Sequence, residues 1–212
     1  MRRVLTGLAL AALAAPVIAI DHREIRTTYQ TTGLESLHFD LPVAEVRFEG
    51  YDGGKVEVDL FLECRRASGH ECEHILDALR LEERRHGRTL DLELEGYPRW
   101  SKGKIEVEAL VRVPRALDLD LEMGVGEVDV EGLAGDLRLD IGVGEVNIWL
   151  DQKTVRSVSL DAGVGETELH GVDRQETRRS LFVGSKVSWF EGDGEARILV
   201  DVGVGEISVW VD

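Results

Sequence analysis

After its first twenty residues the chain has no apolar run long enough for a membrane-spanning helix, which needs about 20 consecutive apolar residues. The chain is also poor in cationic side chains. It has 25 Lys and Arg against 41 Asp and Glu, and its formal net charge is -16 at pH 7. So acidic a surface repels phosphate backbones and anionic lipid headgroups. This composition argues against nucleic acid as a partner and leaves cations, basic proteins and neutral glycans.

Recognisable catalytic motifs are missing as well. None of the six histidines lies in a nucleophile or metalloprotease motif, and Ser185 lacks the elbow pattern of a hydrolase serine. The recurring Gly-Val-Gly lacks the third glycine of a dinucleotide-binding loop, and no helical pattern follows it. Carboxylates are so plentiful that a pair at glycosidase spacing would arise by chance. We therefore predict a protein that is not an enzyme and needs no cofactor.

The amino terminus resembles an export signal. The residues MRR precede the apolar run VLTGLALAALAAPVIA, and a small residue stands where a signal peptidase would cut. We predict a signal peptide over residues 1–19, cleaved after Ala19, and export to the periplasm or cell surface of a bacterium. An uncleaved anchor helix is the alternative, although the run is shorter than a membrane span requires. Residues 20–212 are predicted to form a single domain without a membrane span.

The only two cysteines, Cys64 and Cys72, lie eight positions apart. In an exported chain such a pair predicts a disulfide that closes a small loop. His70 and His74 leave a second interpretation open, because together with the two sulfurs they supply four ligands that zinc or copper accepts.

One short phrase occurs four times: MGVGEVDV (123–130), IGVGEVNI (141–148), AGVGETEL (162–169) and VGVGEISV (202–209). Its glutamates, numbers 127, 145, 166 and 206, are spaced by 18, 21 and 40 residues. Since 40 is two periods, we assign Lys186 to a hidden fifth unit. A period of roughly 20 residues predicts an all-β fold, a parallel β-solenoid or β-helix built from stacked rungs.

Each repeat alternates apolar and polar residues on both sides of a glycine corner, which predicts two short strands with one buried face. Glycine suits the corner because it can adopt positive φ and allows the neighbouring rung to approach closely. The corner glycines therefore need bind nothing. They are Gly124, Gly126, Gly142, Gly144, Gly163, Gly165, Gly203 and Gly205.

Stacked rungs place equivalent residues about 4.8 Å apart, in columns. One outward column contains Glu127, Glu145, Glu166, Lys186 and Glu206. It is either a solvated ladder or a weak cation site. A second outward column contains Glu131, Trp149, His170, Phe190 and Trp210. Its aromatic members form either a structural ladder or a contact surface for a glycan or protein partner.

The repeat is degraded over residues 20–115 and regular over residues 116–212. FDLPVAEVRFEG (39–50) echoes the later units and places Glu45 at the ladder position. The alternating runs KVEVDLFLE, TLDLELEG and KIEVEALVRVP predict further strands. Between them, the apolar residues Ile75, Leu76, Leu79 and Leu81 predict a short helix inside a cysteine-containing insertion over residues 64–86.

The leader, the passage VRVPRALDLDLEMGVGEVDVEGLAGDLRLDIGVGEVNI and the 20-residue recurrence resemble bacterial envelope domains grouped under the name putative adhesin, a domain of unknown function. The likeness is strongest over residues 104–212. It implies a β-solenoid, an envelope location and no catalytic residues. Members more often have Ser-Gly-Asp at the corner where this chain has Val-Gly-Glu, so a role of that aspartate is not transferred.

Three functions follow from these patterns. The first is a non-enzymatic, adhesin-like binding module that presents its glutamate and aromatic columns to a protein or glycan of the cell envelope. The second is a structural or stress-related envelope component that assembles into a homo-oligomer through exposed edges. The third is a metal-handling protein that uses the loop from Cys64 to His74.

Overall fold

The computed structural model describes residues 22–65, 69–97, 105–179 and 184–212, so the predicted leader lies outside the described residues. The described chain contains one helix, α1 (His70–Ala78). Its strands are β1 (His22–Gln30), β2 (Ser36–Tyr51), β3 (Lys55–Cys64), β4 (Arg80–His86), β5 (Thr89–Glu95), β6 (Ile105–Pro114), β7 (Asp118–Glu131), β8 (Leu137–Leu150), β9 (Val155–His170), β10 (Glu176–Arg179), β11 (Ser185–Trp189) and β12 (Ala196–Val211).

The strands form one mixed sheet in the order β1-β3-β6-β2-β7-β8-β12-β9-β11-β10, with β5 beside the first half of β2 and β4 beside β5. The prediction of a mostly β protein is confirmed. The predicted parallel pairing holds for only part of the sheet, because β1, β3, β4, β10 and β11 pair antiparallel. For β4 and β5 the reason is local: a two-residue turn with Gly87 at φ 63° can join only antiparallel strands.

Five long strands, β2, β7, β8, β12 and β9, pair parallel and in register. Chain order is not kept, because β12 lies between β8 and β9. The stacking order predicted from the sequence is therefore wrong for the last two units. The carboxyl end of β12 is fixed there by two backbone hydrogen bonds: Gln152 N donates to Asp212 O at 2.9 Å, and Asp212 N donates to Leu150 O at 3.1 Å.

The prediction of a hidden fifth repeat unit around Lys186 is also wrong. Strand β11 runs antiparallel to β9 and places Lys186 opposite Asp161, to which its ammonium group donates a hydrogen bond at 2.9 Å. Lys186 therefore lies outside the glutamate column. Ser185 stands where the other units have their second corner glycine, and its side chain cannot fit against a neighbouring backbone as glycine does.

In the long parallel strands, the alternation of buried and exposed side chains shifts by one residue at the glycine corner. In β7, Leu119, Leu121 and Met123 are buried before the glycines, whereas Val128 and Val130 are buried after them. Side chains alternate along a strand, so a shift from odd to even numbers means that the strand turns at the glycines and keeps its apolar side chains on one core.

Helix α1 occupies only part of the predicted insertion over residues 64–86. Leu79 caps its carboxyl end. Leu81 is not helical but lies on β4, opposite Leu94, because pairing of β4 with β5 overrides the helical spacing of the apolar residues. Arg23 of β1 donates hydrogen bonds to the carbonyl oxygens of Leu76 and Leu79 at 2.6 and 2.9 Å. These bonds supply partners for carbonyl groups at the carboxyl end of the helix, which lack partners within it. The predicted Cys64–Cys72 disulfide is confirmed, with the Cα atoms 6.0 Å apart.

Candidate functional site

Three aromatic side chains stack on the outer face of the parallel strands. Trp149 of β8 and Trp210 of β12 have ring centroids 4.9 Å apart and planes 6° from parallel. His170 of β9 lies against the other side of Trp210, at 5.4 Å and 13°. We call these three residues the aromatic stack. They face outward because they alternate with buried Ile148, Val209 and Leu169.

The aromatic stack remains accessible to a partner. Trp149 is 37% exposed, and the imidazole of His170 is held 3.2 Å from the carboxylate of Glu168. The sequence predicted that these residues share one column. Because β12 lies between β8 and β9, Trp210 is the central ring.

The same cross-strand row continues from Trp149 into charged residues. Glu131 lies opposite Trp149, and Glu49 follows on β2. Arg112 of β6 lies opposite Glu49 and donates a hydrogen bond to it at 3.2 Å. The side of Trp149 that faces away from Trp210 borders an open cleft, which is also lined by Glu49, Gly50, Arg115, Glu131 and Gly132. The stack thus ends beside carboxylates and a guanidinium group.

Phe190 is not part of this column, contrary to the prediction. Because β11 is antiparallel to β9 and places Trp189 opposite Val158, Phe190 lies near the beginning of β9, whereas His170 is its last residue. Phe190 is 68% exposed and Trp189 is buried. This reversal leaves no signal in the sequence, since apolar residues alternate equally in both strand directions.

The predicted glutamate column exists, with its members in the order Glu45, Glu127, Glu145, Glu206, Glu166. Burial, followed by the charges of Asp129 and Glu145, raises the pKa of Glu127. A second acidic column, which was not predicted, lies before the corner and is formed by Asp40, Glu122, Asp140, Asp201 and Asp161. The repeated Asp or Glu five residues before each corner glutamate was the available signal.

The corner glycines have a structural role. A Cβ atom on Gly126, Gly144, Gly165 or Gly205 would lie 1.7–1.9 Å from a carbonyl oxygen of the neighbouring strand. A Cβ atom on the first glycine of each pair would lie 2.5–2.9 Å from such an oxygen. The backbone of the neighbouring strand therefore fills the space that a side chain at these positions would need.

The disulfide argues against the metal-binding hypothesis for the loop from Cys64 to His74. The sulfurs of Cys64 and Cys72 are bonded to each other and cannot act as thiolate ligands. His70 and His74 are exposed on α1, and His70 faces Glu73 at 3.6 Å. Over the part of the chain that the structure describes, no group of three or more His, Cys, Asp or Glu side chains is placed to hold a metal ion.

Among the described residues, no helix has both the length and the apolar character needed to cross a membrane. Helix α1 has 9 residues, far fewer than the roughly 20 of a spanning helix.

Comparison with known proteins supports the fold. No family model and no curated protein matches the chain. A solved structure named a putative cell adhesion protein, from Clostridium sporogenes ATCC 15579, is 15% identical; the match covers 90% of this chain and 100% of that one, with a TM-score of 0.55. A putative adhesin from Bacteroides fragilis NCTC 9343 is 10% identical over 88% of this chain and 97% of that one, but its TM-score is only 0.25. The chain therefore shares its fold with a solved bacterial protein that is named for cell adhesion.

Proposed function

We propose that this protein is an exported, non-enzymatic binding module of the bacterial cell envelope, and that the aromatic stack contacts a protein or glycan partner. The observation that carries this proposal is the register of Trp149, Trp210 and His170, which holds three rings on an outer face. Rings pre-ordered in this way offer contact area at low entropic cost. The likeness to a protein named for cell adhesion supports the same class of function.

The scaffold of this module is, we infer, a β-solenoid. Strands β7 and β8 each have 14 residues and pair parallel and in register. A straight strand of that length spans about 46 Å, whereas the residues between them, 132–136, reach only about 17 Å. Register can be kept across so short a link only if each strand bends back on itself. The change of burial phase at each corner supports the same geometry.

Export is inferred from two features. The amino-terminal sequence has the three regions of a signal peptide, and the Cys64–Cys72 disulfide suits an oxidising compartment. Periplasm and cell surface are both consistent with these features.

The test is partner capture by the double variant W149A/W210A. The probes are an array of bacterial envelope glycans, including peptidoglycan fragments, and a detergent extract of envelope proteins. We expect the double variant to lose binding by about tenfold or more, because buried aromatic anchors contribute most of the energy of such contacts. The matched control is F190A, which removes a more exposed ring outside the stack, 68% exposed against 37% for Trp149, and should retain binding. Binding by W149A/W210A at the level of F190A would contradict the proposal.

Self-assembly is the second candidate. Among the described strands, β1, β4 and β10 each pair with a single neighbour and lie at edges of the sheet, and such edges can pair with another chain. The exposed charged side chains Glu24 and Arg26 on β1 oppose such pairing. Sedimentation at high protein concentration decides the question, since a strict monomer would exclude assembly through these edges.

A further inference from the structure

A ridge of valines runs along the glycine corner, separate from the aromatic stack. The middle residue of each corner is a valine, and the five are in register in the order Val43, Val125, Val143, Val204, Val164. The last four are 42%, 46%, 46% and 41% exposed. We call these five residues the valine ridge. A contiguous apolar strip in the same place on every strand is not explained by the core, which lies on the other side.

Carboxylates flank the valine ridge on both sides. The column before it contains Asp40, Glu122, Asp140, Asp201 and Asp161, and the column after it contains Glu45, Glu127, Glu145, Glu206 and Glu166. Among the described residues, one of these ten forms a salt bridge, Asp161 with Lys186 at 2.9 Å. Glu145 accepts a hydrogen bond from Asn147 at 3.2 Å. Of the nine carboxylates other than Asp161, eight are exposed and Asp40 is half-buried. At the spacing of neighbouring strands they repel one another.

This combination specifies the chemistry of a partner. An apolar strip with unneutralised anions on both sides is complementary to an apolar strip with cations on both sides. A partner of that kind covers the valines and neutralises both columns at once. A neutral apolar partner would bury carboxylates without compensation, which is costly.

The spacing along the valine ridge selects the conformation of the partner. The valines repeat every ~4.8 Å across the strands. An α-helix laid along the ridge presents apolar residues once per turn, every ~5.4 Å. An extended strand presents them every ~6.7 Å. Over the four intervals between the five valines, the apolar residues of a helix fall out of register with the valines by roughly 2 Å, and those of a strand by roughly 8 Å. The helix therefore matches the ridge better.

We propose that the valine ridge docks a basic amphipathic α-helix of a partner protein. About 13 residues of helix cover the ~19 Å of the ridge, and Lys or Arg on both sides of the apolar stripe reach the two acidic columns. This site is independent of the aromatic stack, and either can fail without the other.

The first test uses synthetic peptides as probes. A peptide of about 18 residues with leucine at helical spacing and lysine on both flanks is titrated against the full mature protein by fluorescence anisotropy. One control peptide keeps this composition but scrambles the leucine spacing, a second replaces every lysine by glutamate, and a third has proline substitutions that prevent a helix. We expect micromolar binding of the first peptide, about tenfold weaker binding of the scrambled one, none of the acidic one, and increased helicity of the bound peptide by circular dichroism.

The second test locates the contact. V143T/V204T adds two hydroxyl groups to the ridge and keeps the strand-favouring branched shape, so the fold is retained. We expect it to weaken binding about fivefold or more. E145Q/E206Q should also weaken binding and reduce its dependence on salt. W149A/W210A is the matched control and should bind as the parent protein does.

Any of four results would overturn the proposal. Equal binding of the scrambled peptide, or an unchanged affinity of V143T/V204T, would mean that charge alone drives the contact. Equal binding of a proline-substituted peptide that cannot form a helix would refute the helical partner. Absence of binding at millimolar peptide would refute the docking site itself.

Discussion

The second corner glycine is the residue on which the parallel stack depends most directly. On β7, β8, β12 and β9, a Cβ atom added at this glycine would lie within 2 Å of a carbonyl oxygen of the neighbouring strand. On β2 the equivalent residue is Ala44, and the structure explains why alanine is tolerated there. Pairing of β2 with β5 ends at Asp40 and pairing with β6 begins at Glu45, so no strand pairs with β2 on that side at Ala44.

We predict that G144A strongly destabilises the protein, because its Cβ atom would lie 1.9 Å from the carbonyl oxygen of Gly126 and the two strands would have to separate. The expected loss is about 3 kcal/mol or more of unfolding free energy, measured by urea denaturation. A44G is the matched control and should cost about 1 kcal/mol or less. A G144A protein as stable as A44G would show that the strands are not in this close contact.

At the scale of elements, α1 is held by few contacts. One is the disulfide between Cys72 on the helix and Cys64 at the end of β3, and another is the pair of hydrogen bonds from Arg23. Cys72 and Leu76 are the helix residues that are buried. The helix is therefore expected to open locally before the parallel strands do.

We predict that C64S/C72S loosens α1 and leaves the repeat strands intact. Closing a loop of this length restricts the unfolded chain by an amount equivalent to about 2–3 kcal/mol. Hydrogen exchange should become faster over residues 70–79 and stay unchanged in β7, β8 and β12. Uniformly faster exchange across all of these segments would show instead that the disulfide stabilises the whole fold cooperatively.

At the scale of the whole molecule, the acidic columns determine how stability depends on pH. Burial is the first cause that raises the pKa of Asp40 and of Asp201, and neighbouring carboxylates add to it: Glu93 for Asp40 and Asp161 for Asp201. Asp136 differs, because hydrogen bonds from Arg197 outweigh its burial and lower its pKa.

We predict that the protein is more stable at mildly acidic pH than at neutral pH. A carboxyl group with a raised folded-state pKa, such as Asp40, Glu127 or Asp201, stabilises the fold when protonated, and this contribution is lost as pH rises through the folded-state pKa. Asp136 acts oppositely, and its contribution is lost as pH falls through its lowered pKa. The urea midpoint should therefore rise from pH 7 to about pH 5 and fall below about pH 4.

Salt provides the control for this prediction. About 0.5 M NaCl screens repulsion between exposed carboxylates, so it should reduce the gain in stability between pH 7 and pH 5. A urea midpoint that is independent of pH in this range would contradict the role assigned to the acidic columns.

The sequence by itself determined the features that depend on the recurring corner, on the spacing of the cysteines and on composition. The recurrence of the corner predicted the in-register strands and the column that joins Trp149 and Trp210, because side-chain alternation has a fixed period of two residues. The spacing of Cys64 and Cys72 predicted their disulfide, and the disparity between acidic and basic residues predicted a strongly acidic surface.

Only the tertiary structure decided which strands are neighbours and in which direction they run. Strand β12 lies between β8 and β9, and β11 runs antiparallel, which moves Lys186 and Phe190 out of their predicted columns. Alternation is the same in either strand direction, and backbone hydrogen bonds pair any strand with any other of suitable length. The choice is made by contacts between residues distant in the chain, such as those that fix Asp212 beside Leu150 and Gln152, and these leave no periodic signal in the sequence.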